Sequence, residues 1–172
     1  AAPCFVRFGT FERLYYTRQY AEIQKLADWL LAEHFKACQA EEQPYLALLQ
    51  TIIQRSARLV ADWQSVGFCH GVLNTDNMSI LGLTLDYGPY GWLDETNLTH
   101  ICNHSDSEGR YAYQEQPEIV HWNLYCLAQA MLPLMEVEAA KTALNQYWDV
   151  YTQHFTANMR NKLGLRCPQA ED

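Results

Sequence analysis

Between Pro44 and Ser65 apolar residues return at three- and four-residue intervals, as Leu46, Leu49, Ile52, Ile53, Leu59, Val60 and Trp63, and the repeat stops at Gly67. A repeat of that length and period folds as an amphipathic helix and needs apolar partners along its whole stripe. Pro44 suits the first turn, where its missing N–H costs nothing, and Gly67 suits the left-handed residue that closes a helix. Partners flank it in the sequence. Phe11 to Phe35 carries Leu14, Tyr15, Ile23, Leu26, Ala27, Leu30 and Leu31 at the same spacing, enough for one or two helices. Two further helices are expected over about Pro117 to Leu134 and Glu136 to Leu163, with Trp122, Tyr125, Tyr147, Trp148 and Tyr151 as core aromatics.

From Phe68 to Asp94 the pattern changes to short apolar runs broken by Asn, Asp, Gly and Pro, as in loops and short strands. Ile80 to Leu85 is β-compatible and the following DYGPYG is a turn, so a hairpin or a pair of short strands ending at Asp86 is expected. Asn97 to Gln116 is polar and reads as an ordered loop. No repeat or linker interrupts the chain, so residues 1–172 are expected to form one mainly α domain with a short β insert.

Composition narrows the function. With 172 residues and 49% hydrophobic content the chain can bury a real core. A net charge of -8 argues against nucleic-acid binding, which needs a basic surface to displace counterions. No stretch approaches the roughly 20 apolar residues of a membrane span, and the start lacks a secretory pattern. The six cysteines, Cys4, Cys38, Cys69, Cys102, Cys126 and Cys167, form no C-x-x-C pair and read as reduced, partly buried thiols. The glycosylation sequons at Asn77, Asn97 and Asn103 read as chance matches.

The chemistry concentrates in FCHGVLNTDNMSILGLTLDYGPYGWLD, residues 68–94. Kinase-like enzymes carry H-x-D-x-x-x-x-N after a helix and then an Asp at a strand end, so that Asn and Asp together hold Mg²⁺ on nucleotide phosphates. His70 takes the His position, Asn77 stands seven residues on, and Asp86 opens D-Y-G where kinases have D-F-G. Val72 stands where a kinase has its catalytic Asp, and valine accepts no proton. Asp76 is the only carboxylate in the loop and is the candidate base. His70 is expected to prop the loop by hydrogen bonding rather than to titrate. His100, Cys102 and His104 alternate in HICNH but have no second ligand cluster at zinc spacing. Asp106, Arg110 and Tyr111 are expected either to shape an acceptor site or to form an internal ion pair.

HGVLNTDNMSILGLTLDYGPYGWLD resembles the signature segment of the selenoprotein O family, as do PCFVRFGTFE at Pro3 to Glu12, NHSDSEGRYAYQEQPEIVHWNL at Asn103 to Leu124 and MRNKLGL at Met159 to Leu165. The resemblance implies a protein-kinase-like fold that binds ATP in a flipped orientation and transfers AMP to Ser, Thr or Tyr hydroxyls of proteins. By motif position it implies Asp76 as catalytic base, Asn77 and Asp86 as ligands of Mg²⁺, or Mn²⁺ in its place, and Arg7 with Asp86 as nucleotide-binding residues. It implies ATP and protein substrates as partners, and a cytoplasmic location in a bacterium or a mitochondrial one in a eukaryote. Family proteins are longer and carry an amino-terminal lobe with a nucleotide-binding Lys and its partnering Glu. The chain therefore reads as the C-lobe portion of such a protein, inactive alone.

Two other functions share these residues. A protein or small-molecule kinase would need Asp76 to stand in for the Asp that Val72 replaces. A non-catalytic pseudokinase module would bind nucleotide or a partner without transfer, although such sites usually lose a metal ligand and here Asp76, Asn77 and Asp86 are all present.

Overall fold

The computed structural model describes residues 2–165, so Cys167 and the acidic tail 169–172 lie outside the described residues. Its elements run α1 (Phe8–Tyr16), α2 (Tyr20–His34), α3 (Lys36–Gln39), α4 (Pro44–Val66), β1 (Phe68–Cys69), β2 (Gly91–Trp92), α5 (Gln116–Met131), α6 (Val137–Asn145) and α7 (Tyr147–Leu163), with short 3₁₀ turns at Thr75–Asn77, Tyr113–Glu115 and Leu132–Leu134. The chain is mainly helical with a small antiparallel sheet.

Helix α4 is the axis. Leu48, Leu49, Ile52, Ile53, Ala57, Val60 and Ala61 are buried along it, and it packs against α5, α6 and α7. Pro44 opens the helix, and Gly67 closes it in the left-handed conformation at φ 72°, as the sequence required. Helix α1 buries Phe8 and Phe11 and packs on α5. Ile23, Ala27 and Leu30 of α2 join the same apolar cluster. Burying a side chain the size of Leu or Phe stabilises a fold by about 1.5–3 kcal/mol, so this cluster dominates the stability and the polar loops ride on it.

The strand expected over Ile80–Leu85 does not form. Gly82 turns the backbone left-handed at φ 70°, with Arg55 so close that a β-carbon there would lie 2.8 Å from the Arg55 β-carbon. What remains is a single bridge between Met78 and Thr84. The two-stranded pairing is instead Phe68 with Trp92 and Cys69 with Gly91, closing the whole 68–92 segment into one loop.

The helix expected over Glu136–Leu163 is two, broken at Gln146. The break lets Tyr147 turn fully into the core, where its hydroxyl donates to the Pro117 carbonyl at 2.8 Å. Trp148 and Tyr151 pack against the core, but Trp122 is 58% exposed and Tyr125 44%. Both lie on the outer side of α5, whose inner stripe is Val120, Leu124 and Leu127.

The described cysteines are free thiols. Cys102 sits 3.3 Å from the Cys69 sulfur, and burial, with Cys69 as a second cause, pushes its pKa up to about 12. It is therefore a neutral thiol at ordinary pH.

Candidate functional site

The site is a loop held at its base by buried amides and free at its tip. At the base, Gln116 at the start of α5 is fully buried and spends its whole amide on the loop entrance. Its Nε2 donates to the Phe68 carbonyl at 2.9 Å and its Oε1 accepts from the His70 N–H at 2.8 Å. Asn123, two helical turns on, donates to the Leu73 carbonyl at 2.9 Å. From the other side Asn103 donates to the Gly71 carbonyl at 3.1 Å. Gly71 is left-handed at φ 84°, and a β-carbon there would run 2.8 Å from the Pro89 carbonyl oxygen and 2.9 Å from the Cys102 sulfur. Each amide satisfies a backbone group that burial would otherwise leave costly.

His70 connects this base to the next segment. Its ring is fully buried among Trp63, Phe68 and Tyr87, and its Nε2 lies 2.9 Å from the Leu85 carbonyl. A carbonyl only accepts, so Nε2 carries the proton, while the buried Nδ1 has no partner. Burial disfavours the imidazolium and lowers the His70 pKa, a shift only partly opposed by the Leu85 carbonyl. The ring is thus a neutral prop that fixes the residue before Asp86.

At the tip, Asn74 caps the 3₁₀ turn by accepting the Asp76 N–H at 2.9 Å, and the Asn77 N–H returns to the Asn74 carbonyl at 3.0 Å. That turn presents Asp76 and Asn77 side by side. Asn77 Nδ2 donates to the Asp86 backbone carbonyl at 3.2 Å, which leaves its Oδ1 to serve another partner. Asp86 itself adopts the left-handed conformation at φ 57°, which Asp tolerates better than most residues. Asp86 Oδ2 lies 2.5 Å from Arg7 Nη2. Arg7 is brought there by pairing of the amino-terminal segment with the chain just past Asn77: Arg7 bridges Ser79, the Phe8 N–H donates to the Met78 carbonyl at 3.0 Å, and the Ile80 N–H donates to the Val6 carbonyl at 3.1 Å.

All four residues singled out from the sequence, Arg7, Asp76, Asn77 and Asp86, therefore belong to one neighbourhood. Beside it opens a cleft of about 470 Å³ lined by Arg7, Gly9, Glu12, Arg13, Thr75 and Asp76 among others. Helix α1 approaches Asp76 so closely that a β-carbon on Gly9 would lie 2.0 Å from Asp76 Oδ1. Thr75 donates its hydroxyl to Glu12 at 2.5 Å, which pins the turn to α1 from the other side. Asp76, Asn77 and Asp86 offer carboxylate and amide oxygens, the hard donors that suit Mg²⁺. The Asp86 carboxylate already accepts a cation in the form of Arg7, which shows that positive charge is accommodated there.

Asp106 forms no ion pair with Arg110. Its carboxylate accepts the backbone N–H groups of Arg110 at 2.9 Å and Tyr111 at 2.7 Å, closing its own loop. Sequence reasoning missed Gln116, Asn123, Asn103 and Gly9. Asn123 did leave a signal, because it interrupts the apolar stripe of Val120, Leu124 and Leu127, where a polar residue needs a buried partner. Gln116, at a helix start beside Pro117, and Gly9, near the start of α1, left none.

Comparison with known proteins adds a family. The family model described as "Protein adenylyltransferase SelO" matches residues 1–172. A protein nucleotidyltransferase YdiU of Ralstonia nicotianae is 52% identical over 189 aligned positions, covering 99% of this chain and 36% of the relative. The protein of the same name from Pseudomonas aeruginosa is 52% identical over 164 positions, 95% of this chain and 34% of its own length. The chain thus spans about a third of the length of the curated relatives it matches.

Proposed function

The chain belongs to the SelO family, and on that premise we propose that the full-length protein is a Mg²⁺-dependent protein adenylyltransferase. It moves AMP from ATP to Ser, Thr or Tyr hydroxyls of proteins, and this chain is the large lobe of a kinase-like fold carrying the metal and catalytic loop. The supporting observation is the convergence on Asp86: Asn77 on its carbonyl, Arg7 on its carboxylate, and Asp76 adjacent to Asn77 in the same turn. In the bacterial relatives' setting the protein acts in the cytoplasm, and in a eukaryote in the mitochondrion. Among the described residues no helix is long and apolar enough to cross a membrane.

In this reading Asn77 Oδ1 and the Asp86 carboxylate hold the ion, and Arg7 binds phosphate oxygens with its forked donors. Mg²⁺ held there would neutralise phosphate charge in the transition state. Asp76, exposed on the cleft wall, accepts the proton of the acceptor hydroxyl as that oxygen bonds to the α-phosphorus and pyrophosphate leaves. His70 takes no part in proton transfer, being buried and neutral, and fixes Leu85 so that Asp86 keeps its place.

The test is to incubate the full-length protein with Mg²⁺ and ATP labelled separately at the α- and γ-phosphates and to weigh the adduct. Label from the α-phosphate on protein, lost in Asp86→Ala, is the expected result. Label from the γ-phosphate would make the protein a kinase with Asp76 in place of the usual Asp, and no label would make it a nucleotide-binding scaffold.

A further inference from the structure

The Arg7–Asp86 pair is puzzling if both residues serve only the bound nucleotide. Their side chains are 37% and 39% exposed, so neither is locked away by packing. The Arg7 backbone, in contrast, is fixed by its bridge to Ser79 and by the flanking bonds from Phe8 and to Val6. Any movement of the guanidinium therefore comes from side-chain torsions alone. Arg7 Nε is buried and has no partner, and only Nη2 contacts Asp86, so the guanidinium has donors to spare. Arg7 and Asp76 both line the same cleft, so open space lies beside Arg7 as well as packed core.

From this geometry we propose, building on the reading of Asp86 as a metal ligand, that Arg7 is a specificity device that makes the site refuse a free divalent cation and accept one only together with a polyphosphate. While Arg7 holds Asp86 Oδ2, a lone cation must either displace the guanidinium or take Oδ1 beside its positive charge. A polyphosphate offers Arg7 a better partner, because charge-assisted bonds to several phosphate oxygens use its fork and its idle Nε. Moving Arg7 to the phosphates frees Asp86 for the cation that the phosphates bring. Cation and nucleotide each raise the other's affinity by the same factor, since such coupling is reciprocal. The pair is a conditional plug, opened by the ligand that the reaction needs.

The experiment is Mn²⁺ binding followed by electron paramagnetic resonance, with and without a non-hydrolysable ATP analogue, on the full-length protein and its Arg7→Ala, Arg7→Gln and Asp86→Ala variants. Removing the Arg7 charge is expected to tighten binding of Mn²⁺ alone by about fivefold, the order expected for a half-exposed ion pair, and to weaken binding of the Mn²⁺–analogue complex by tenfold or more. The coupling factor between the two ligands then falls in both Arg7 variants. A free-Mn²⁺ affinity that stays level or drops in both Arg7 variants, while Asp86→Ala still abolishes it, overturns the plug and leaves Asp86 as a ligand. Wild-type Mn²⁺ affinity in Asp86→Ala would instead remove the reading on which the plug rests.

Discussion

The two halves of the 68–87 loop are built on opposite principles. Residues 68–73 form a stem whose side chains are mostly buried and whose backbone is tied down by Gln116, Asn123 and Asn103. Residues 74–77 and 86–87 form a tip whose Asp76 and Asp86 carboxylates are open to solvent, held by one Asn cap, the Thr75–Glu12 bond, one amide-to-carbonyl bond and one ion pair. The stem converts burial into position, while the tip keeps its oxygens free of permanent partners. A group that must bind a cation or take a proton cannot also be satisfied within the fold, so rigidity has to be supplied from a neighbouring segment.

The sharpest test of this division changes the tip. Asp76→Ala is expected to slow transfer about a thousandfold, roughly 4 kcal/mol of transition-state stabilisation, and to spare binding of the metal–nucleotide complex. Asp86→Ala and Asn77→Ala should weaken that binding. Asp76→Ala and Asn77→Ala should leave the unfolding free energy within about 0.5 kcal/mol of wild type, and Asp86→Ala should cost about 1 kcal/mol, because alanine tolerates the left-handed conformation less well than aspartate. Equal binding losses in the three variants would break the assignment of roles, and a large stability loss would show that the tip is structural after all.

The complementary change attacks the stem. Gln116→Leu keeps the volume close but leaves a buried N–H at His70 and a buried carbonyl at Phe68 without partners. An unmatched buried polar group costs about 1–3 kcal/mol, so a loss of about 3 kcal/mol in unfolding free energy is expected. Stability within 1 kcal/mol of wild type would mean that water reaches the loop base and that the stem is less sealed than its burial suggests.

Gly9→Ala sits on the border between the two halves. Alanine gains up to about 1 kcal/mol of helix propensity over glycine, but its β-carbon lands on Asp76 Oδ1. The carboxylate is the end of a rotatable side chain and swings away, so stability should change by less than ~0.5 kcal/mol. Transfer should fall about tenfold because the candidate base has moved. Unchanged transfer would show that Asp76 works from a different rotamer.

How much of this was legible in the sequence follows the same division. The residues of the tip could be singled out, because Asp76, Asn77 and Asp86 are polar residues at a fixed spacing in a loop, and the structure brings them together. Helix α4 was readable, because its apolar period and its Pro and Gly ends are local signals. The stem was not, because Gln116 and Asn123 act on backbone groups about 50 residues away in the chain, and a backbone carbonyl leaves no mark in a sequence. Gly82 likewise misled: a single glycine in a β-compatible run bends the chain over Arg55, and only the packed structure reveals Arg55 there. The exposed Trp122 and Tyr125 show the reverse error, an aromatic period taken for a core stripe when the buried stripe was the aliphatic one beside it.

The smallest expected effect lies where stem meets tip, at His70. Burial lowers its pKa below the ordinary 6.5, and burial also lowers that of His121, which stacks on Tyr147 and has a buried Nε2 without a partner. The unfolded chain then binds protons that the folded chain refuses as pH drops below 6.5. Stability is complete above that pH and declines as pH falls toward the depressed folded values, with a slope no steeper than about 1.4 kcal/mol per pH unit for each group. Urea titrations from pH 7.5 to 5.5 should show this decline, and His121→Phe should remove the smaller share, because His121 retains more contact with solvent. The remaining slope belongs to a ring whose protonation adds a buried charge between the stem and Leu85. If stability instead held level through that window in His121→Phe, His70 would be taking up its proton without penalty, and the neutral prop that separates the two halves of the loop would have to be abandoned.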